Sequence, residues 1–265
     1  MTNAPAGGRR RFFDLSGKHA LVTGATGPLQ RALAVALADA GANVSVTTLH
    51  DAQAEEVQAN SILNECWSFG RRGEARRLDL TDAGAVERAV DELERSVGPF
   101  DILVNGVHEA NVKPVVETTP AEWERELARN ATSVFVATRA VGRRMLERGK
   151  GRVVTLVSII EDRGIPNCAT FGASQGAVLG FTRSAGIEWA RRGVTVNALG
   201  LGFFDELPGP QRDEELHAVL ERYIPLRRLG TPADLQAALL YLVSDEAGFM
   251  QAEVVTVDGA IAIHA

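Results

Sequence analysis

The chain has 265 residues, which at about 150 residues per domain corresponds to one or two domains. Apolar residues make up 45% and charged residues 23%, so there is enough apolar material for a sizeable core, and a disordered or fibrous chain is excluded. With 28 Lys and Arg against 34 Asp and Glu, the net charge is −6, which argues against a dedicated binder of nucleic acid or of an anionic membrane.

From Lys18 onward, short β-branched runs alternate with longer Ala- and Leu-rich segments of helical pattern. In chain order the predicted elements are strand His19–Thr23, helix Leu29–Ala40, strand Asn43–Thr48, helix Ala52–Glu65, strand Arg76–Leu80, a helix capped by Thr81 or Asp82 and ending near Ser96, strand Asp101–Asn105, helix Ala121–Arg148, strand Arg152–Ser158, helix Phe171–Ala190, strand Thr195–Leu199, helix Thr231–Leu242 and strand Val254–Val257. Strands that alternate with helices predict right-handed crossovers. We therefore expect one doubly wound α/β domain over residues 15–265, with a parallel sheet and helices on both faces, preceded by a flexible tail over residues 1–14.

The cysteines and histidines point to no metal site and no disulfide framework. Cys66 and Cys168 form no paired motif, and the five histidines lack the spacing of metal ligands. The longest strongly apolar stretch is too short to span a bilayer, and the N-terminus has no apolar core of a secretory signal. We therefore expect a reduced, cytoplasmic protein with no membrane partner.

The segment after the first predicted strand has the composition of a phosphate-binding turn. It reads TGATGPLQ over Thr23–Gln30 and leads directly into a helix. In a doubly wound sheet, ligands bind beyond the carboxyl ends of the strands, where the strand order reverses. Glycines there let backbone amides approach a pyrophosphate at the positive end of the helix. The strand–turn–helix context therefore indicates a dinucleotide site.

Further motifs follow in the order typical of the short-chain dehydrogenase/reductase family. They are Thr23-Gly24, Asp79 in LDLTD, Asn105 at the end of DILVN, Asn130 in the long helix, Ser158 after the fifth strand, Asn197 in VTVNA, Gly202, PLRRLGTPADL, and Asp258-Gly259. From about Leu15 to the C-terminus the sequence resembles this family. The resemblance implies a Rossmann-like fold and a carbonyl/alcohol oxidoreductase that uses NAD or NADP. It also implies a homodimer or homotetramer, paired across a two-fold axis by helices Ala121–Arg148 and Phe171–Ala190.

The family's catalytic positions are only partly filled. In the family a Tyr hydroxyl gives or takes the proton, a Lys four residues later lowers the Tyr pKa and holds the nicotinamide ribose, a Ser polarises the carbonyl, and an Asn orders a water. By resemblance Ser158 and Asn130 fill the last two positions, but the pattern Tyr-Ser-Ala-Ser-Lys falls on Phe171–Gln175. Ser158 lies 13 residues before Phe171, which is the family's usual interval.

Phenylalanine has no ionisable proton, and the amide of Gln175 carries no charge that would lower a neighbour's pKa. We therefore expect the chain to lack the general acid–base contribution, which is worth roughly 10²–10⁴ in rate. Lys113, on a loop, and Tyr223, in the variable segment before the last helix, are the candidate substitutes.

The cofactor positions also depart from the family pattern. The usual frame places glycines at Pro28 and Gln30, whereas the frame of the family's extended members keeps Gly24 and Gly27 and loses only the glycine at Gln30. Either Gln30 obstructs the approach of backbone to phosphate, or its side chain swings outward and only weakens binding. By resemblance, Thr48 occupies the position of the acidic residue that would hold a ribose diol, or of the Arg that would hold a 2′-phosphate.

By resemblance Asp79 and Asn105 also contact the cofactor. The family's Asn-Asn-Ala-Gly after the fourth strand reads Asn105-Gly106-Val107-His108 here, which would direct an imidazole toward the nicotinamide side. Two interpretations remain open. His108 acts as an acid or base together with Glu109, Glu161 or Asp162, or it fills a vacated pocket while the carboxylates are solvated loop charges.

Two functions follow from these patterns. The first is a divergent homologue with impaired or lost hydride transfer, acting as a non-redox enzyme or as a noncatalytic subunit, alone or with an intact paralogue. The second is an NAD(P)-dependent ketone reductase or alcohol dehydrogenase in which Ser158, Asn130 and a water or substrate hydroxyl supply the proton. Apolar residues within the segment Phe203–Tyr223, where the family builds its lid, either bind a small apolar ligand or dock the lid itself.

Overall fold

The computed structural model describes residues 12–159, 163–205, 207 and 209–264. Most of the predicted tail, together with Glu161 and Asp162, lies outside these residues. Where the description begins, the ring of Phe13 packs edge-on against Tyr241, and the backbone N–H of Leu15 donates to the Ala40 oxygen at 2.9 Å. Within the described residues, no helix is long and apolar enough to cross a membrane.

Over the described residues, seven parallel strands form one sheet in the order β3-β2-β1-β4-β5-β6-β7. They are β1 His19–Thr23, β2 Asn43–Thr47, β3 Ala75–Arg76, β4 Ile102–Asn105, β5 Gly151–Ser158, β6 Val194–Leu201 and β7 Val254–Val257. The helices are α1 Pro28–Asp39, α2 Gln53–Ser68, α3 Ala83–Ser96, α4 Pro120–Leu127, α5 Ser133–Arg148, α6 Ala169–Trp189, α7 Glu214–Tyr223 and α8 Gln236–Val243. The predicted Rossmann-like α/β fold is confirmed.

The alternation of side chains along each strand supplies a separate core to each face of the sheet. In β1, Ala20 and Val22 pack toward α1, α2 and α8, whereas Leu21 packs toward α3, α5 and α6. Both faces of the strands are therefore buried, which explains why β1, β4 and β5 read as nearly continuous apolar runs. The two cores hold the carboxyl ends of the strands along one edge, where ligand sites form in this architecture.

Three element predictions are corrected. The third strand, predicted as Arg76–Leu80, is only Ala75–Arg76, because the next residues leave the ladder and Leu78 bonds to the side chain of Thr48. The long helix predicted as Ala121–Arg148 is interrupted by a π turn, Ala128–Thr132, between α4 and α5. The amphipathic helix α7 was not predicted at all.

Smaller boundary differences occur near the C-terminal half of the sheet. β6 extends over Val194–Leu201, three residues more than the predicted Thr195–Leu199, and its eight Cα pairs with β5 run from Gly151 to Ser158. The helix predicted as Thr231–Leu242 begins as a 3-10 turn, Pro232–Leu235, before continuing as α8.

Two left-handed glycines end the helices that flank this part of the sheet. Gly149 caps α5 with a φ of +67°, and a Cβ there would have no heavy atom within 4 Å. Gly193 follows α6 with a φ of +74°, and a Cβ there would clash with the carbonyl oxygen of Gly149.

We expect Gly149→Ala to lower the free energy of unfolding by about 1–2 kcal/mol, the cost of a left-handed backbone alone. Gly193→Ala adds the clash to the same backbone cost, so it should lower the free energy further. Urea unfolding at a fixed protein concentration measures both values. Equal losses for the two variants would contradict the predicted contact between the two turns.

Candidate functional site

The strand order reverses between β1 and β4, and the crevice at this point is closely packed. The last residues of the two strands, Thr23 and Asn105, are partners in the ladder. The N–H of Gly106 donates to the hydroxyl of Thr23 at 3.3 Å. Gly24 has a φ of +64°, and a Cβ there would lie 3.0 Å from Val107 Cγ2. Two loops therefore meet with no room for a side chain at Gly24.

Gln30 fills the same crevice from the start of α1. The helix begins after Gly27, with Pro28 in its first turn. The side chain of Gln30 is 7% exposed, and its Nε2 donates to the Gly106 carbonyl oxygen at 2.5 Å. A Cβ on Gly27 would lie 2.9 Å from Gln30 Oε1. The side chain therefore points inward, and the outward orientation considered from the sequence is wrong.

A small cavity remains above Gln30. Its volume is about 150 Å³, and its walls include Gly24, Gly27, Leu49, His108 and Leu207. Typical small-molecule sites have volumes of roughly 300–1,000 Å³. The described residues therefore leave less room at the reversal point than a drug-sized ligand needs.

The end of β2 is closed by hydrogen bonds within the protein. The hydroxyl of Thr48 donates to the Leu78 oxygen at 3.0 Å and accepts from the Leu78 N–H at 2.9 Å. The carboxylate of Glu55, in the first turn of α2, accepts from the N–H of Leu49 and of His50 and contacts His50 Nδ1 at 2.6 Å. The sequence analysis missed Glu55, because it lies in the following helix and no motif marks it.

Asp79 and Asn105 are also held by neighbouring residues. One carboxylate oxygen of Asp79 accepts from the N–H and the hydroxyl of Thr81 at 2.8 and 2.7 Å. The amide nitrogen of buried Asn105 donates to the hydroxyls of Thr138 and Thr155 at 2.9 and 3.1 Å. Its Oδ1 has no hydrogen-bond partner in the described part of the chain. Asp79 lies after β3, whereas Asn105 ends β4.

Ser158, Phe171 and Gln175 come together where β5 ends and α6 begins. The Oε1 of Gln175 accepts from the backbone N–H of Ser158 at 2.9 Å. Both Phe171 and Gln175 are 1% exposed. The long amide of Gln175 thus secures the end of the strand to the helix, and the phenyl ring is enclosed beside it.

His108 completes this apolar group. Its ring lies edge-on to the ring of Phe171, with centroids 5.0 Å apart. Phe171 also packs in one buried cluster with Cys168. Burial lowers the pKa of His108 to about 4, so the imidazole is neutral at pH 7. Its Nδ1 is buried and has no partner among the described residues. Its predicted partner Glu109 instead forms an ion pair with Arg129 at 3.0 Å.

Asn130 lies in the π turn, which packs against α6. A π turn carries an extra residue in one helical turn and is frequent at functional sites. The Oδ1 of Asn130 accepts from the N–H of Glu109 at 3.0 Å, and its Nδ2 donates to the Glu109 carbonyl oxygen at 2.9 Å. The side chain therefore holds the loop that follows β4 and carries His108.

Glu126 is a buried carboxylate that the sequence analysis did not single out. It is 6% exposed, and its Oε1 accepts from the N–H of Asn111 at 3.3 Å. Burial, followed by the charge of Glu109, raises the pKa of Glu126 from 4.5 to about 7. Its position four residues before Asn130 is the only sequence signal, since that spacing places both on one helical face.

An apolar cavity of about 330 Å³ opens beside the end of β5. Its walls include Ile159, Phe203, Leu220, Ile261 and the ring of Tyr223. The other candidate substitute, Lys113, is engaged elsewhere: its Nζ lies 2.9 Å from Glu122 Oε1. Tyr223 is therefore the candidate substitute that lines this cavity.

Comparisons with known proteins identify the class. A family model described as enoyl-(acyl carrier protein) reductase matches residues 24–261. The gluconate 5-dehydrogenase of Gluconobacter oxydans (strain 621H) is 32% identical over 254 residues, covering 95% of this chain and 97% of that protein. The 3-oxoacyl-(acyl-carrier-protein) reductase of Vibrio cholerae serotype O1 is 31% identical over 250 residues, with coverages of 94% and 99%.

A solved structure is similar to this chain in both fold and sequence. The gluconate 5-dehydrogenase of Burkholderia cenocepacia J2315, crystallised with NADP and tartrate, matches with a TM-score of 0.88 at 28% identity, covering 96% of this chain and 98% of that one. The chain therefore belongs to the short-chain dehydrogenase/reductase family. The three relatives named here are two dehydrogenases and one reductase.

The raised pKa of Glu126 predicts a pH-dependent stability. Between about pH 4.5 and pH 7 the folded state binds more protons at this carboxyl than the unfolded state does. The wild type should therefore lose stability as the pH rises through this window, and Glu126→Gln should remove that loss.

We expect the melting temperature of Glu126→Gln, relative to wild type, to rise as the pH goes from 5 to 8. Glu124→Gln, at an exposed position of α4, is the matched control and should show no such trend. A difference that stays constant with pH in Glu126→Gln would contradict the assignment.

Proposed function

We propose that this chain is a short-chain dehydrogenase/reductase homologue whose ordinary hydride transfer is impaired or lost, and which acts as a non-redox enzyme or as a noncatalytic subunit. The observation that carries the proposal is the pairing of Gln175 Oε1 with the Ser158 N–H beside the buried ring of Phe171. At the positions where the family has its Lys and Tyr, these side chains offer a structural amide and a phenyl ring, and neither ionises.

The crevice at the reversal of strand order supports the same conclusion. A dinucleotide in this fold lies across that crevice, with its pyrophosphate at the N-terminus of the first helix. Here Gln30 occupies the crevice, and the residual cavity measures about 150 Å³. The residues present do not fit a seated dinucleotide in this arrangement, so we expect weak or absent binding of NAD and NADP.

The polar groups that would bind the adenosine half of the dinucleotide are already hydrogen-bonded within the protein. Thr48 has its hydroxyl bonded to both backbone groups of Leu78, and the N–H groups of Leu49 and His50 bind Glu55. Buried polar groups that are already satisfied gain little from a ligand. This arrangement favours a site that has lost its nucleotide contacts over one that awaits a nucleotide.

Within this proposal, His108 serves as packing rather than as an acid or base. Its ring is neutral and lies against Phe171, and Glu109 is paired with Arg129. The apolar cavity beside Ile159 suits a small apolar molecule. We also propose a cytoplasmic homodimer or homotetramer, formed through the α5–α6 face on which Phe135 is 49% exposed, or a mixed oligomer with an intact paralogue. Native mass spectrometry measures both the assembly and any retained small molecule.

The second candidate is an NAD(P)-dependent oxidoreductase with a non-standard proton donor. The relatives named above are dehydrogenases and reductases, and one was crystallised with NADP. By resemblance of the motifs, Ser158 and Asn130 fill the family's Ser and Asn positions, and Tyr223 lines the neighbouring apolar cavity. In this case Ser158 would polarise the carbonyl, while a water or a substrate hydroxyl would supply the proton.

Titration of the purified protein with NADH and NADPH, followed by fluorescence, separates the two candidates. A Kd below ~10 μM, the affinity of many good contacts, would favour the oxidoreductase. No binding at millimolar cofactor would remove it.

If Gln30 blocks the crevice, Gln30→Gly should tighten binding of NADH or NADPH by about tenfold or more, which corresponds to ~1.4 kcal/mol. Gln30→Leu is the matched control: it keeps the volume of the side chain but removes the amide, and should leave binding as weak as in wild type. Equal gains in both variants would mean that the hydrogen bond, and not the filled volume, limits binding.

The double variant Phe171→Tyr/Gln175→Lys tests the catalytic positions. We expect it to lack robust ketone reduction, because Gln30 and His108 still occupy the cofactor side of the site. Addition of Gln30→Gly to the pair should raise turnover above that of the pair alone. Strong turnover from the double variant by itself, assayed as NADPH oxidation with a panel of ketones, would overturn the proposal.

A further inference from the structure

A polar cavity is lined by the loop that follows β4, by α4 and by the π turn. Its volume is about 340 Å³, and its walls include Glu109, Asn111, Arg125, Glu126 and Arg129. This volume falls within the usual range of small-molecule sites, roughly 300–1,000 Å³. Glu109 also lines the cavity of about 150 Å³ at the reversal of strand order, so this residue of the loop lies between the two cavities.

The carboxylate of Glu126 is buried in this wall and forms no ion pair within the described residues. Its Oε1 has two long hydrogen bonds, from Asn111 N at 3.3 Å and from Asn130 Nδ2 at 3.4 Å. Its Oε2 receives no hydrogen bond within the part of the chain that the structure describes. A buried carboxylate is costly unless it is paired and fully hydrogen-bonded. The second carboxylate oxygen of Glu126 is therefore available to a hydrogen-bond donor that enters the cavity.

Two nearby cations are paired with other carboxylates. Arg129 binds Glu109 at 3.0 Å, and Lys113 binds Glu122 at 2.9 Å. Glu126 forms no ion pair of its own within the described residues. On the same wall Arg125, which is exposed, has no ion-pair partner among the described residues. One acid and one base therefore line the same cavity, and neither is in an ion pair.

We propose that this cavity binds a small zwitterion, whose ammonium group pairs with Glu126 and whose carboxylate pairs with Arg125. Ion pairs with charge-assisted hydrogen bonds are stronger where water is partly excluded, as it is at Glu126. A ligand with both charges satisfies both side chains at once, whereas a ligand with one charge leaves the other unmet. This inference goes beyond the proposed function, because it does not depend on the fate of the dinucleotide site.

The protonation of Glu126 gives the proposal a second readout. The titratable groups that act on it are Glu109, Arg129 and Cys168; Glu122 and Arg125 share the cavity wall, and Lys113 is paired with Glu122. Burial, with the charge of Glu109, raises the pKa of Glu126 to about 7. An ammonium group stabilises the ionised carboxylate, so binding at pH 6.5 should release protons, and the measured heat should change with the ionisation enthalpy of the buffer.

Isothermal titration of the full chain with four simple probes tests the charge requirement. The zwitterions are β-alanine and 4-aminobutyrate, and the single-charge controls are butylamine and butyrate. We expect at least one zwitterion to bind with a Kd on the order of 1 mM or tighter, butylamine to bind more weakly, and butyrate not to bind. Failure of all four probes to saturate, or binding of butyrate as tight as that of the zwitterions, would overturn the proposal.

Variants assign the two charges. Glu126→Gln should abolish binding of the zwitterion and the proton release, whereas Glu124→Gln, on an exposed position of the same helix, should change neither. Arg125→Ala, also at an exposed position, should reduce the affinity for the zwitterion to that for butylamine. Because Arg125→Ala removes no buried group, it tests the proposal even if Glu126→Gln does not fold. Unchanged affinity in Arg125→Ala would overturn the two-charge assignment.

Discussion

The hydrogen bond from Gln30 Nε2 to the Gly106 carbonyl oxygen joins the start of α1 to the end of β4 across the reversal of strand order. A carbonyl buried at this point needs a donor, and here the donor is the protein's own side chain. The same principle recurs along the carboxyl edge of the sheet: Thr48 bonds to Leu78, Glu55 to the loop after β2, and Gln175 to the end of β5. In this fold, ligands bind at this edge of the sheet. Here many of the polar groups at the edge are instead hydrogen-bonded to other groups of the protein.

The part of this edge where β5 ends carries no charged side chain among Ser158, Phe171 and Gln175. Phe171 and the neutral ring of His108 form a dry contact where β5 meets α6, and neither carries a charge at pH 7. The buried carboxylate of Glu126 lies instead beside the amide of Asn130. The loop after β4 thus carries the contact of His108 with Phe171 and also lines the polar cavity through Glu109 and Asn111, and the amide of Asn130 fixes the position of that loop.

The sequence predicted the order and type of most elements, because alternating buried strands and amphipathic helices leave a clear pattern. It also located Phe171 and Gln175, since their distance from Ser158 is set by the motif. The sequence could not predict the direction of the Gln30 side chain, because Gly106, whose carbonyl oxygen accepts its hydrogen bond, lies 76 residues away in the chain. Glu126 was missed for the same kind of reason: its burial arises only when the loop through Asn111 folds over it.

The π turn at Ala128–Thr132 has a consequence for how this chain tolerates change in length. A π turn confines its extra residue to a single turn of the helix. Deletion of one residue there would therefore restore a regular helix and largely keep the rotation of α4 relative to α5. What the deletion would displace is the side chain of Asn130, which lies in the turn and holds the loop after β4 through two hydrogen bonds to Glu109. We therefore expect a chain shortened by one residue at this turn to keep its helix packing but to lose the present position of that loop.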